Sequence, residues 1–358
     1  MLTGGQFYDV LCAVVPLYVA LFLGYGSLKW WGVVTPEQSA GISRFNALIA
    51  MPPLIFEIIA FNNPYTMNNR LIAAYCLSNG IVLVGLCAWV WCTKCGNLDW
   101  VITLFQLSVM PNTIIVGIPV LSPLYSVTES GIAAIFIGQV LWLFPTLFLY
   151  ELKEVRKMGQ PAVGSVAQRN SFSVANGESG TRENGTEHGH EMAPSQMNLK
   201  EMAIKVAKKM VQLPLTHATV MGIVYSLIAG RWGFDPLRIL RNSLDIMGRI
   251  TLGLTMYSIG LFMAGQKKLV ASWWVAFYGA FCRFIVGPGT MGVASLLLGL
   301  RGDTLRFAFL QAALPQAVIS FVFAKDYNLH TDVFTTAVSL QTIVFMPIVL
   351  VYYTLLEL

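Results

Sequence analysis

Ten stretches of about twenty residues each, almost wholly apolar, alternate along this chain with short polar turns, and about twenty is the length a helix needs to cross a bilayer. They fall at roughly 7–28, 42–62, 71–92, 100–122, 132–152, 213–230, 240–265, 272–298, 304–324 and 332–355. Of the 358 residues, 56% are hydrophobic and 11% charged, with a mean hydropathy of +0.64; soluble domains carry roughly 25% charged residues. The chain reads as an all-α polytopic membrane protein with ten transmembrane helices. Its first ten residues lack a basic leader, and the first apolar run is long enough to stay in the membrane, so no cleavable signal is expected. The net charge of +5 suits an anionic substrate or a lipid surface and discriminates little. Of the six cysteines, most sit inside apolar runs as small hydrophobes do; Cys92 and Cys95 form a CxxC that lacks partners for zinc or redox chemistry.

One connection is long. Residues 153–203 are polar and rich in Gly, Ser, Asn and Glu, as in NGESGTRENGTEHGHE, a composition that cannot bury a core. They read as a disordered linker between two five-span halves, 1–152 and 204–358. Loops after odd-numbered spans carry Lys29, Lys94, Lys267, Lys268, Lys325 and the basic linker residues from Lys153 to Lys209. Loops after even-numbered spans carry Arg70, Arg231, Arg238, Arg241, Arg301 and Arg306. The first set is larger, so the linker is expected in the cytosol and both termini in the lumen or outside the cell. The sequon at Asn184 then faces the wrong compartment for glycosylation.

The fourth and ninth runs are each interrupted near the middle. One reads Met110-Pro111-Asn112-Thr113-Ile114-Ile115, the other Leu314-Pro315-Gln316-Ala317-Val318-Ile319. Both are the fourth of five spans in their half, and an odd number of crossings makes the second half enter from the opposite side. Interrupted helices at matching positions of two inverted repeats point to a transporter's substrate site. Proline removes a backbone donor and clashes one turn back, and lipid cannot satisfy the groups it frees. Single prolines, as at Pro16, Pro52, Pro145, Pro214, Pro288 and Pro347, read as kinks. The matched Pro–amide pair instead reads as crossed half-helices whose N-termini hold a carboxylate, with Asn112 as a neutral donor.

At these residues the sequence resembles the PIN-FORMED auxin efflux carriers of plants, in their short-loop form. The carrying segments are VPLYVALFLGYGSLKWW (15–31), PEQSAGISRF (36–45), NNPYTMN (62–68), PNTIIVGIPVL (111–121), SIGLFMA (258–264), and LQAALPQAV with FVFAKDYNLH (310–330). The resemblance implies a scaffold of spans one, two, six and seven, through which the family forms homodimers. Spans three to five and eight to ten would then move as a transport bundle. The implied substrate is the indole-3-acetate anion, held at the crossing of the broken helices. Its carboxylate would lie near Pro111 and Asn112, with Pro315 and Gln316 opposite. Its ring would lie against Ile115, Val116, Val318 and Ile319, with Ile55 among the contacts, and Gln139 is the counterpart of a fifth-helix glutamine. The short linker implies the endoplasmic reticulum membrane, with the plasma membrane as the alternative. Relatives carry an Asp and, one turn later, a Lys in the third span, thought to support the site; Tyr75 and Asn79 stand there in this chain. Relatives often read PQGIVPF where this chain has Ala317 and Ser320. Ser339, Gln341 and Thr342 depart from the family in the tenth span, as substrate contacts or as helix–helix hydrogen bonds.

Glu57 in the second span is an intramembrane carboxylate, for which Arg249 and Arg283 are possible partners. Arg283 reads either as a structural charge or as a snorkelling side chain, and neither arginine is expected beside the broken helices. His217 and His330 read as interfacial, His188 and His190 are too few for a metal site, and the linker serines 165, 171, 173 and 179 are weak phosphorylation candidates. No phosphate loop and no nucleophile–base constellation occurs, so neither an enzyme nor any cofactor, metal or nucleic acid is expected. The leading expectation is uniport of auxin and similar weak organic acids, driven by gradient and potential. The alternatives are a carrier of another organic anion and a non-transporting auxin sensor.

Overall fold

The computed structural model describes residues 4–93, 97–125, 128–158, 199–233, 237–266, 269–270 and 272–357. Lys94, Cys95, Asn184, the linker serines and histidines, Lys267 and Lys268 lie outside the described residues. The described chain is helical throughout. In order come α1 (Gly4–Lys29), α2 (Pro36–Phe45), α3 (Met51–Ala60), α4 (Asn69–Thr93), α5 (Leu98–Val109), α6 (Ile118–Leu121) and α7 (Thr128–Met158). After the linker follow α8 (Leu199–Gln212), α9 (Pro214–Trp232), α10 (Arg238–Ala264), α11 (Trp273–Phe281), α12 (Gly287–Leu297), α13 (Asp303–Ala312), α14 (Val318–Asp326) and α15 (Thr331–Glu357).

Seven helical stretches among the described residues are long and apolar enough to cross a membrane, and the bent pair α8–α9 makes an eighth if counted as one span. This is a polytopic membrane protein. The fourth and ninth apolar runs fall outside that count because each is split into two short helices, α5 and α6, and α13 and α14. Residues 153–158 and 199–203, read above as linker, are helical ends of α7 and α8. Helix α8 presents Met202 and Val206 inward while Lys200 and Lys205 stay at the surface, and it meets α9 at 78°.

Among the described residues three π-helical turns interrupt the helices: Asn46–Ala50 before α3, Thr113–Gly117 before α6 and Cys282–Val286 before α12. Each is followed, two residues on, by a proline: Pro52, Pro119 and Pro288. A proline ring pushes away the carbonyl four residues back, and a wider turn relieves the clash. The carbonyl freed by Pro288 belongs to Phe284 and accepts the Tyr352 hydroxyl. The one freed by Pro347 belongs to Ile343 and accepts the Tyr18 hydroxyl at 3.3 Å. Such partners are what lets a proline persist where no water is at hand.

The helices pack in two groups. In one, α1 lies along α10, and α3 lies against α9 and α10. In the other, α4 packs on α5, α7 and α12, α12 on α13, and α15 on α11, α13 and α14. The groups meet where α3 and α9 touch α7, and α1 also touches α6. Within the first group the contact of α1 with α10 is backbone on backbone. A Cβ at Gly24 would sit 2.1 Å from Tyr257 O, and one at Gly260 would sit 2.0 Å from Leu21 O. Only glycine permits that approach.

At the linker end of the second group, the buried Glu151 of α7 is ion-paired with Lys205 (2.7 Å) and Lys209 (2.5 Å) of α8. It also accepts the Tyr327 hydroxyl at 2.8 Å. Burial, reinforced by the Glu151 carboxylate, holds that hydroxyl well above its ordinary pKa, so it remains a donor. Lys153 Nζ donates to Tyr327 O at 2.7 Å.

Candidate substrate site

Helix α5 ends at Val109, and the chain turns out of helical geometry at Met110 (φ −107°, ψ 78°). Helix α13 ends at Ala312, and Ala317 is extended (φ −70°, ψ 137°) before α14 begins. The two breaks cross and pair. Asn112 N donates to Pro315 O at 2.8 Å, and Ala317 N donates to Met110 O at 3.0 Å. Pro111 thus faces Gln316 in a single antiparallel bridge. Neither proline has an N–H to give, so the neighbouring amides make the bonds. The pairing is one residue out of register with the matched motifs, since Pro111 opposes Gln316 and not Pro315.

Glutamines hold the crossing. Gln139 of α7 donates from Nε2 to Pro111 O (3.1 Å) and Thr113 Oγ1 (2.6 Å). Gln341 of α15 accepts Gln316 N at 3.0 Å and donates to Gly279 O of α11 at 2.9 Å. Gln311 donates to Thr113 Oγ1 at 2.8 Å. The Gln316 side chain is buried and donates to Gln106 O (3.1 Å) and Ser320 Oγ (2.7 Å). Tyr150 donates to Gln106 Oε1 at 2.8 Å. Of the two motif amides, then, Gln316 is engaged in packing. The Asn112 side chain is half-buried and makes no hydrogen bond among the described residues. Its main-chain oxygen accepts from Val116 N and Gly117 N, both at 3.3 Å. The amides of Thr113, Ile114 and Ile115 therefore precede the first intrahelical bond.

The apolar candidates divide. Ile55, Ile115 and Val116 are 1%, 1% and 0% exposed and belong to the packed core. Val318 is half-buried, and Ile319 is 38% exposed. Asn112, Val318 and Ile319 are the partly accessible members of the candidate set, while Pro111 and Pro315 are buried.

Behind the crossing the structure corrects the reading of Arg283. Its side chain is fully buried, and it reaches both broken helices. Nη1 donates to Ser108 O at 3.0 Å, and Nη2 donates to Ala312 O at 2.6 Å. These carbonyls stand at the C-terminal, partially negative ends of α5 and α13. A snorkelling role and a pairing with Glu57 are both overturned, because Arg283 sits in the π turn before α12 and points inward. The signal was present in the sequence, as a lone arginine inside an apolar run beside Gly287-Pro288. Tyr75 and Asn79 are also buried, and Tyr75 donates its hydroxyl to Val109 O at 2.8 Å. Glu57 lines a cavity of about 290 Å³ with Arg241, Asp245 and Arg249, between α3 and α10 on one side and α6 and α7 on the other. Arg249 itself pairs with Asp245 at 3.1 Å.

The remaining polar candidates differ: the buried Ser339 hydroxyl has no hydrogen-bond partner among the described residues. Thr342 donates to Val338 O within its own helix (2.6 Å), and Gln341 makes the interhelical bonds given above. His217 Nδ1 lies 3.2 Å from Leu213 O. His330 stacks on Trp100 (4.3 Å between ring centres) with Nδ1 2.8 Å from Thr103 Oγ1.

A family model described as membrane transport protein matches residues 9–353. The chain is 36% identical to auxin efflux carrier component 5 of Arabidopsis thaliana, with 100% of this chain and 99% of the relative aligned. It is 33% identical to auxin efflux carrier component 8 of the same plant, aligned over 100% of both. To the probable auxin efflux carrier component 9 of Oryza sativa subsp. japonica it is 34% identical, again over 100% of both chains. Helices fit for a bilayer, a paired break in two of them and full-length likeness to short carriers together identify a transporter and not an enzyme: the chain belongs to the PIN-FORMED family of auxin efflux carriers.

Proposed function

We propose that this chain carries the auxin indole-3-acetate, as its anion, across a membrane by alternating access. The observation that carries the reading is the Asn112 amide, unbonded and partly open, at the head of a turn whose first three N–H groups lack helical partners. A carboxylate at that point gains an amide donor and the positive end of the broken helix, and the indole ring has Val318 and Ile319 to lie against. The likeness to auxin efflux carriers supports auxin as the substrate. In this reading the ten apolar runs are ten crossings in two inverted five-helix repeats. The group of α1, α3, α9 and α10 is the scaffold, and the other group is the moving bundle. The linker lies in the cytosol, two copies associate through the scaffold, and the endoplasmic reticulum is the working membrane.

Transport is uniport. An anion moving with the field gains roughly 2.3 kcal/mol per 100 mV, enough to concentrate it without a coupled ion. Radiolabelled indole-3-acetate uptake into proteoliposomes tests the reading. The wild type should show saturable uptake that an imposed potential accelerates and a protonophore does not abolish. Asn112→Ala should reduce it at least about tenfold, the loss of one charge-assisted hydrogen bond. Equal uptake by both proteins would remove Asn112 as a ligand. No uptake by either would remove auxin as the substrate.

A further inference from the structure

The cation behind the crossing has no anion. Among the described residues no carboxylate lies within 4.0 Å of Arg283, which is 0% exposed. Two of its three guanidinium nitrogens are bonded to Ser108 O and Ala312 O, and Nε has no partner. Burying an unpaired charge is costly, and two carbonyl dipoles offset only part of that cost.

Beside Arg283 lies a small cavity lined also by Tyr75, Ser78, Asn79, Pro111 and Met291. About 10 Å³ of it is open to the centre of a water-sized sphere, which is room for one small occupant. The hydroxyl protons at its wall are committed: Tyr75 donates to Val109 O at 2.8 Å, and Ser78 donates to Thr290 Oγ1 at 3.0 Å. Two donors are not. They are Arg283 Nε and Asn79 Nδ2, the latter on a side chain only 2% exposed. The residues lining the cavity thus carry two orphaned donors and a net positive charge, and the space is too small for a carboxylate or a phosphate.

We propose that this cavity is a halide site, in which one chloride ion accepts from Arg283 Nε and Asn79 Nδ2 and supplies the missing counter-charge. The ion is structural, not cargo. It neutralises the side chain that ties the end of α5 to the end of α13, so its occupancy steadies the broken helices. The site is independent of which organic anion the protein carries.

The test is thermal unfolding of the purified protein in sodium chloride, sodium bromide and sodium gluconate at one ionic strength. The wild-type Tm should rise by several degrees, saturably, in chloride and bromide but not in gluconate. Asn79→Ala removes one donor and should raise the half-saturating halide concentration about tenfold. Asn79→Asp places a fixed carboxylate beside Arg283 and should abolish the halide dependence. A wild-type Tm equal in chloride and gluconate would overturn the proposal and leave water as the occupant. A halide effect unchanged in Asn79→Ala would overturn it too, by locating the ion elsewhere. Asn79→Ala decides the matter even where Asn79→Asp does not fold.

Discussion

Gln341 Oε1 accepts the main-chain amide of Gln316 at 3.0 Å, while Gln139 Nε2 donates to the main-chain oxygen of Pro111 at 3.1 Å. Each break in the membrane helices is thus met by a glutamine from the last helix of its own half, one supplying an acceptor and the other a donor. A buried amide left without its partner costs about 1–3 kcal/mol. Gln341→Leu should lower stability by that amount, and Gln341→Glu, which keeps an acceptor for the amide, should recover part of it. Denaturant or thermal unfolding of the purified protein measures both.

Gln139 and Asn112 should separate by their effects. Asn112 makes no side-chain hydrogen bond, so Asn112→Ala should leave the Tm within about a degree of wild type, a surface-like change of under 0.5 kcal/mol. Gln139→Leu strips donors from Pro111 O and Thr113 Oγ1 and should lower Tm and uptake together. A Tm loss in Asn112→Ala comparable with that in Gln139→Leu would mean that Asn112 is structural.

Gly260→Ala should be poorly tolerated. Its Cβ would meet Leu21 O at 2.0 Å, on a rigid backbone that cannot step aside. Forced overpacking of this kind costs about 3 kcal/mol. The expected readout is a large loss of folded protein in detergent, with Gly253→Ala, whose Cβ would meet nothing within 4 Å, as the neutral control.

Glu151 fastens α8, the helix that leads out of the linker, to α7. Glu151→Gln removes both ion pairs, whose lysines are 46% and 43% exposed and so partly screened. A destabilisation of about 2 kcal/mol is expected, concentrated locally. Amide hydrogen exchange of residues 199–212 should speed up while that of α4 does not change.

His330 gives a pH dependence. Burial lowers its pKa below the usual 6.5, Lys153 adds to the lowering, and Asp99 opposes it. The folded protein therefore binds this proton less readily than the unfolded chain. The stability it contributes is complete above about pH 6.5 and is lost as pH falls through the folded value. His330→Asn, which tolerates the positive φ of 41° at this position, should flatten the decline in Tm between pH 7 and pH 5.

The placement of the helices was legible because apolar run length is a direct record of bilayer thickness. The breaks at Pro111 and Pro315 were legible for a similar reason, since a missing backbone donor is written in the residue itself. Gln139 and Gln341 were only half legible. They follow the two prolines at nearly equal spacing, yet a glutamine in an apolar run also suits any helix–helix contact. Arg283 stayed open between a structural charge and a snorkelling side chain because the arginine of a membrane helix can reach either way, and only packing shows which. The helical α8 was hidden by the polar linker that precedes it, although Met202 and Val206 recur at helical spacing among its lysines. The one-residue slip of the bridge was not legible at all, since register between segments two hundred residues apart is a property of the assembled core.

The close approach of Gly24 to Tyr257 and of Gly260 to Leu21 also bears on movement. Packed helices slide past one another when interlocking side chains exchange rotamers, each small change letting the next row advance. Between α1 and α10 at this level no side chains intervene, only main chain against main chain. That seam has no teeth to re-engage after a step, so it behaves as a keel. In the proposed transport cycle, α1 and α10 would therefore travel or stay as one body.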